Sequence, residues 1–141
     1  MVQMTPAAGN RVKRSVIKGI PVGAGVNIEA GKFYVHVGGY LVVPAAGNAA
    51  TGKRPVMALV SADNSAGSNG DKTVDGEYGL QYDFANDATH AIDATYRGKL
   101  SYLSSATTLS YDSADGPVFG DIIQYGSTNN QYGRPVRAEL K

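Results

Sequence analysis

The feature that most constrains this chain is a strict two-residue alternation, repeated in short runs that turn-forming residues interrupt. Between Glu77 and Phe84, the residues Tyr78, Leu80, Tyr82 and Phe84 alternate with Glu77, Gly79, Gln81 and Asp83. Successive side chains of a strand point to opposite faces, so this spacing predicts a single strand with one apolar face. Phe33, Val35 and Val37 alternate in the same way with Lys32, Tyr34 and His36. Gly38-Gly39 then leads into Tyr40-Leu41-Val42-Val43. A two-residue type I′ turn needs positive φ at both central positions, so paired glycines between two such runs predict a hairpin.

Other segments follow the same logic. The unbroken run Val56-Met-Ala-Leu-Val60 inside Pro55–Val60 predicts a short strand buried on both faces. Lys99–Leu103 and Thr107–Tyr111 read as a second hairpin through Ser104-Ser105-Ala106, and Val118–Tyr125 and Val136–Leu140 as further strands. Ser61 to Gly76, rich in Ser, Asn, Gly and Asp, reads as one long loop. Helix is confined to Thr89–Gly98, where Ile92 and Tyr96, and Asp93 and Arg97, share faces at i,i+4, and Gly98 stands where a C-cap falls. Residues 1–14 show neither period and read as a flexible basic arm. The expected architecture is all-β: one domain over residues 15–141, a barrel or sandwich of about eight short strands with at most one short helix.

With 141 residues the chain is long enough to fold on its own apolar core. It holds no cysteine, which excludes a disulfide framework, a thiolate nucleophile and a Cys-based zinc site. No run of 18 apolar residues is present to form a spanning helix, and the N-terminal stretch lacks the apolar region of a secretory signal, so no membrane partner is expected. The net charge of +1 conceals an asymmetry. Residues 1–28 carry Arg11, Lys13, Arg14 and Lys18 and no acid, a local charge of +4. Residues 61–95 carry seven acids (Asp63, Asp71, Asp75, Glu77, Asp83, Asp87, Asp93) against Lys72, a local charge of −6. The basic cluster has no interleaved aromatics and the rest of the chain is nearly neutral, which argues against direct nucleic-acid binding.

Motifs that carry chemistry fail on inspection. Gly47 to Lys53 matches a phosphate-binding loop as far as G-x-x-x-x-G-K, but Arg54 stands where the metal-binding hydroxyl belongs. Pro55 and a strand then follow where a helix should start. Gly23-Ala24-Gly25 lacks the third glycine and the helix of a dinucleotide fingerprint and reads as a turn. The Asp63–Asp71 loop has the composition of a calcium loop without its register, since Val74 stands at the bidentate position. Asn and Asp also favour turns through contacts to their own backbone. Of the two histidines, His36 falls on the polar face of its strand, and neither has a neighbouring acid and serine in the spacing of a nucleophilic triad. No enzyme activity, cofactor or metal is expected, and contact is the expected mode of action.

In this order of elements the chain resembles the small decoration, or cement, proteins of tailed-phage capsids. The likeness runs from about Ile20 to the C-terminus and includes Arg54-Pro-Val-Met-Ala-Leu-Val60. It is densest at Ala62-Asp-Asn-Ser-Ala-Gly-Ser-Asn-Gly-Asp-Lys-Thr-Val74, followed by Tyr78–Phe84, Ala85-Asn-Asp-Ala-Thr89, Ile92 and Gly98-Lys-Leu-Ser-Tyr102. The basic N-terminal segment and the several strand tyrosines depart from that pattern. The resemblance implies a β-barrel or β-tulip-like body that binds the outer surface of the mature capsid and stabilises contacts between major capsid protein subunits. It also implies self-association, a homotrimer before a dimer. Candidate partner contacts are Arg11, Lys13, Arg14, Lys18, Tyr34 and Tyr40. The alternative expectation is a carbohydrate- or host-binding β module on the virion surface.

Overall fold

A computed structural model describes residues 15–125 and 136–140, with side chains through residue 123. The basic segment 1–14, with Arg11, Lys13 and Arg14, lies outside the described residues. The described chain is all-β and divides its strands between a curled open sheet and a closed barrel. The open sheet is built from β1 (Ser15–Pro21), β3 (Phe33–Val37), β4 (Tyr40–Val42), β5 (Lys53–Ala58) and β7 (Thr73–Tyr78), in the order β1-β7-β5-β3-β4. A two-stranded ribbon, β2 (Val26–Ile28) with β6 (Ala62–Asn64), accompanies it. The barrel closes in the order β10-β8-β12-β11-β9, from β8 (Gln81–Asn86), β9 (Leu100–Leu103), β10 (Thr108–Ser110), β11 (Val118–Tyr125) and β12 (Val136–Leu140). All barrel pairings are antiparallel except β8 with β10.

Two apolar clusters lie on opposite sides of the open sheet. Ile20, Val22, Ile28, Tyr34, Leu41, Val56, Ala58 and Val74 form one, inside the curl of the sheet. The other joins barrel residues Phe84, Leu103, Leu109, Phe119 and Ile122, with Ile92, to Phe33 and Val35 of β3. The alternation in β3 therefore serves two cores at once, with Phe33 and Val35 on one side and Tyr34 on the other. Strand β5 does the same, since Val56 and Ala58 join the first cluster while Met57 packs on the second. This is the burial on both faces that its apolar run predicts, but the strand spans Lys53–Ala58 rather than Pro55–Val60, and Val60 is 45% exposed. Phe33 touches Tyr82, Phe84 and Phe119 with ring centroids 4.9, 4.6 and 5.4 Å away, and its amide donates to the Ala106 carbonyl at 2.9 Å.

Several expectations need correction. The run from Glu77 to Phe84 is not one strand: β7 ends at Tyr78 and β8 begins at Gln81. Gly79, at φ 94°, adopts a backbone conformation that L side chains resist, and there the chain leaves the open sheet for the barrel. Period-2 spacing does not register a break that keeps the same phase on both sides. The long loop from Ser61 to Gly76 is likewise shorter than expected, because β6 and the start of β7 fall within it. Its middle is laced to the β1–β2 connection: Asn64 Nδ2 donates to the carbonyls of Val22, Gly23 and Ser68, and Asn69 Oδ1 accepts the Ala24 amide. Thr89–Gly98 contains only a short 3-10 turn at Ala94–Tyr96, which Asp93 caps by accepting the Thr95 amide at 2.9 Å. The Gly38-Gly39 hairpin has φ of 60° and 91°, as a type I′ turn requires. The second hairpin, β9 with β10, also forms as expected.

Candidate functional site

The described residues that combine titratable chemistry with a concavity lie at one end of the barrel, where the loops after β8 and β10 meet. Asn86, the last residue of β8, pairs with Ile92 like a piece of backbone: its Oδ1 accepts the Ile92 amide and its Nδ2 donates to the Ile92 carbonyl, both at 2.8 Å. That clamp closes residues 87–91 into a tight loop over the fully buried Ile92. Within the loop Asp87 Oδ1 accepts the amides of Thr89 and His90 at 2.9 Å each, the turn-forming habit of aspartate.

The facing loop follows β10. Ser110, fully buried, donates from Oγ to Asp115 Oδ2 and accepts the Asp112 amide at 3.0 Å. Gly116 is required at the end of this loop, since a Cβ there would lie 1.6 Å from the Leu103 carbonyl oxygen. The loops are joined by His90, whose Nδ1 lies 2.6 Å from Asp115 Oδ2 and 3.7 Å from Asp112 Oδ2. Asp87, Thr89, His90, Ser104 and Asp115, with Ala46, line an open pocket of about 280 Å³. Beside it, Tyr111 leans on the His90 ring and stacks on Tyr96 at 4.7 Å, and Lys99 Nζ sits 5.1 Å from the Tyr96 ring centre.

The electrostatics follow from this geometry. The hydrogen bond to Asp115 raises the His90 imidazole above its ordinary pKa. The Ser110 hydroxyl, and after it His90, hold the Asp115 carboxyl below its usual range. Partial burial pushes Asp87 up, but the His90 amide, the Ser104 hydroxyl and the Thr89 amide outweigh it and leave that carboxyl lowered. A serine, a histidine and an aspartate are thus together, but not as a nucleophilic triad. Ser110 donates to Asp115 rather than to His90, whereas a serine nucleophile needs the histidine as its base. One ligand atom from each of Asp87, His90 and Asp115 lies within 4.8 Å of the others, a donor set able to hold a cation.

The residues singled out from sequence lie elsewhere. Lys18 sits at a β-bulge in β1, its side chain 81% exposed, with Nζ 3.3 Å from Asp75 Oδ2. Tyr34 requires correction as a surface contact: it is 1% exposed, inside the curl of the sheet, where its hydroxyl oxygen accepts the Glu29 amide at 2.8 Å. Its place on the mixed face of β3 suggested exposure, but that face covers a second core. Tyr40, half-buried, starts β4 beside the Gly38-Gly39 turn. His36 donates from Nδ1 to the Arg54 carbonyl at 2.8 Å, where Arg54 takes a positive φ of 44° at an irregularity in β5. In the Asp63–Asp71 loop, Asp63 accepts the Ser65 amide and Asp71 the Ser68 amide, so these oxygens serve the turn itself.

Sequence reasoning missed the His90 site. The Asp87–His90 and Asp112–Asp115 spacings hint at two capped turns, but nothing in the sequence joins them. No protein-family model, curated protein or solved structure matches this chain.

Proposed function

We propose that this protein is a capsid decoration, or cement, protein that binds the outer surface of a mature phage capsid and stabilises contacts between major capsid protein subunits. The observation that carries the reading is the open sheet. Its edge strand β1 is paired along one side only among the described residues, except at its end, where Val22 bridges Leu41 of β4 and the Gly23 amide donates to the Leu41 carbonyl at 2.9 Å. Val16 on β1 is 38% exposed and Val43, just after β4, is 45% exposed. An unpaired strand edge beside exposed apolar side chains is a ready surface for another chain. In the sequence, β1 follows directly on the basic segment that carries Arg11, Lys13 and Arg14. A protein that binds only the assembled lattice stabilises it by mass action, and self-association to a homotrimer multiplies weak contacts into avidity.

The test is to mix purified protein with expanded and unexpanded shells and measure co-sedimentation across a salt series. Saturable binding to expanded shells, weakened by salt and by deletion of residues 1–14, is expected; binding to neither form sinks the reading. Sedimentation of the free protein should give the mass of three chains.

A second reading, a glycan- or host-surface-binding module, draws on the Tyr96–Tyr111 stack beside the aspartate-lined pocket. A glycan array without hits would remove it.

A further inference from the structure

We propose that Asp87, His90 and Asp115 form a binding site for a divalent transition-metal ion of the zinc class, bridging the two loops at the end of the barrel. The donor set is mixed, one imidazole nitrogen and two carboxylates, each a ligand type that zinc takes, and the imidazole favours a transition metal over calcium or magnesium. The ligand atoms already lie within 4.8 Å of one another. Ligands around a tetrahedral zinc sit about 3.4 Å apart. An ion therefore replaces the hydrogen bond between His90 Nδ1 and Asp115 Oδ2, spreading that pair from 2.6 Å by a small movement of partly exposed side chains.

Three further features point the same way. The ligands come from separate loops and converge on one open pocket of about 280 Å³, so an ion has an entry path and room for water. Both carboxylates are held in place by other groups: Asp115 Oδ2 accepts from the Ser110 hydroxyl, and Asp87 Oδ1 accepts the Thr89 and His90 amides. Such outer contacts fix the direction of a metal ligand. Charge is also unbalanced, because Asp87, Asp112 and Asp115 surround a single imidazole, and even an imidazolium leaves the cluster negative.

The experiment uses the full chain, treated with chelator, dialysed and titrated with zinc chloride by calorimetry. About one zinc per chain is expected, with affinity lowered at least tenfold by His90→Ala and by Asp115→Asn. Far-UV circular dichroism checks that each variant is folded, and Asp87→Asn replaces any that is not. In the wild type, zinc should shift the ring-nitrogen resonances of His90 and leave those of His36 in place. Failure of the wild type to bind zinc overturns the site, as does unchanged zinc affinity in folded variants or a shift confined to His36. Calcium bound as tightly as zinc overturns the assignment to a nitrogen-binding metal.

Discussion

The open sheet and the barrel solve the same problem in different ways. In the barrel every strand has two hydrogen-bonded neighbours, so no edge is left and polar chemistry gathers in the loops at its end. The open sheet curls until its end strands β1 and β4 meet at the Val22–Leu41 bridge, and its central strands β3 and β5 carry apolar residues on both faces. The loops at the end of the closed half hold Asp87, His90 and Asp115, while β1 in the unclosed half keeps one side without a strand partner along most of its length. The two halves are joined by β3: Phe33 is paired with Met57 in the open sheet, while its amide donates to Ala106 of the β9–β10 hairpin and its ring packs in the barrel cluster.

The comparison can be broken most forcibly at that joint. Phe33→Ala should cost about 3–5 kcal/mol and lower the stability of both halves in one transition, because the cavity opens in the shared cluster. Two separate transitions in thermal or denaturant unfolding would show that the halves are energetically independent. Next in size is Gly116→Ala, expected to cost about 3 kcal/mol because the new methyl meets the Leu103 carbonyl and the backbone must yield. Hydrogen exchange should show the loss concentrated in the barrel, around β9. Asn64→Ala should cost about 2 kcal/mol and act on the other half, since it removes the donor to the Val22, Gly23 and Ser68 carbonyls. Its increased exchange should fall on residues 22–25 and 65–72 and spare the barrel.

The smallest expected effects are opposite pH responses of the two halves. Asp75 Oδ1 accepts the Gly19 amide across the bulge in β1, and that bond, with the Lys18 ammonium, holds its carboxyl below the usual range. The stabilisation is present above the unfolded value, about 3.9, and is lost as pH falls through the lower folded value. Exchange at the Gly19 amide should therefore rise above its intrinsic acid profile in that window, and Asp75→Asn should abolish the dependence. His90 is shifted the other way. In metal-free protein its bond to Asp115 contributes fully below about pH 6.5 and is lost as pH rises through the raised folded value. Protonation of Asp115 removes the partner only in strong acid, because that carboxyl is itself lowered. A joint between the loops that loosened in mild acid rather than mild base would contradict this assignment.

Much of the fold was legible from residue order. The Gly38-Gly39 hairpin, the β9–β10 hairpin, the limits of β11 and β12 and the double-sided burial of β5 all rest on local spacing or on turns that few residues can make. The break at Gly79 was hidden because a two-residue interruption leaves the alternation in phase. Tyr34 was misplaced because a polar-looking strand face gives no sign of a second core behind it. The P-loop lookalike is followed by a strand, as Arg54 and Pro55 indicate. The candidate site was illegible for a different reason: His90 meets Asp115 only after β9 and β10 have paired, 25 residues along the chain.

By itself, then, the sequence determined the strand period, the hairpin turns and the all-β class, because each depends on side chains a few residues apart. Only the tertiary structure decided which strands close into a barrel, which face of β3 covers which core, and which histidine finds which carboxylate. Those outcomes depend on burial and pairing between distant segments, and neither is encoded in the spacing of neighbours.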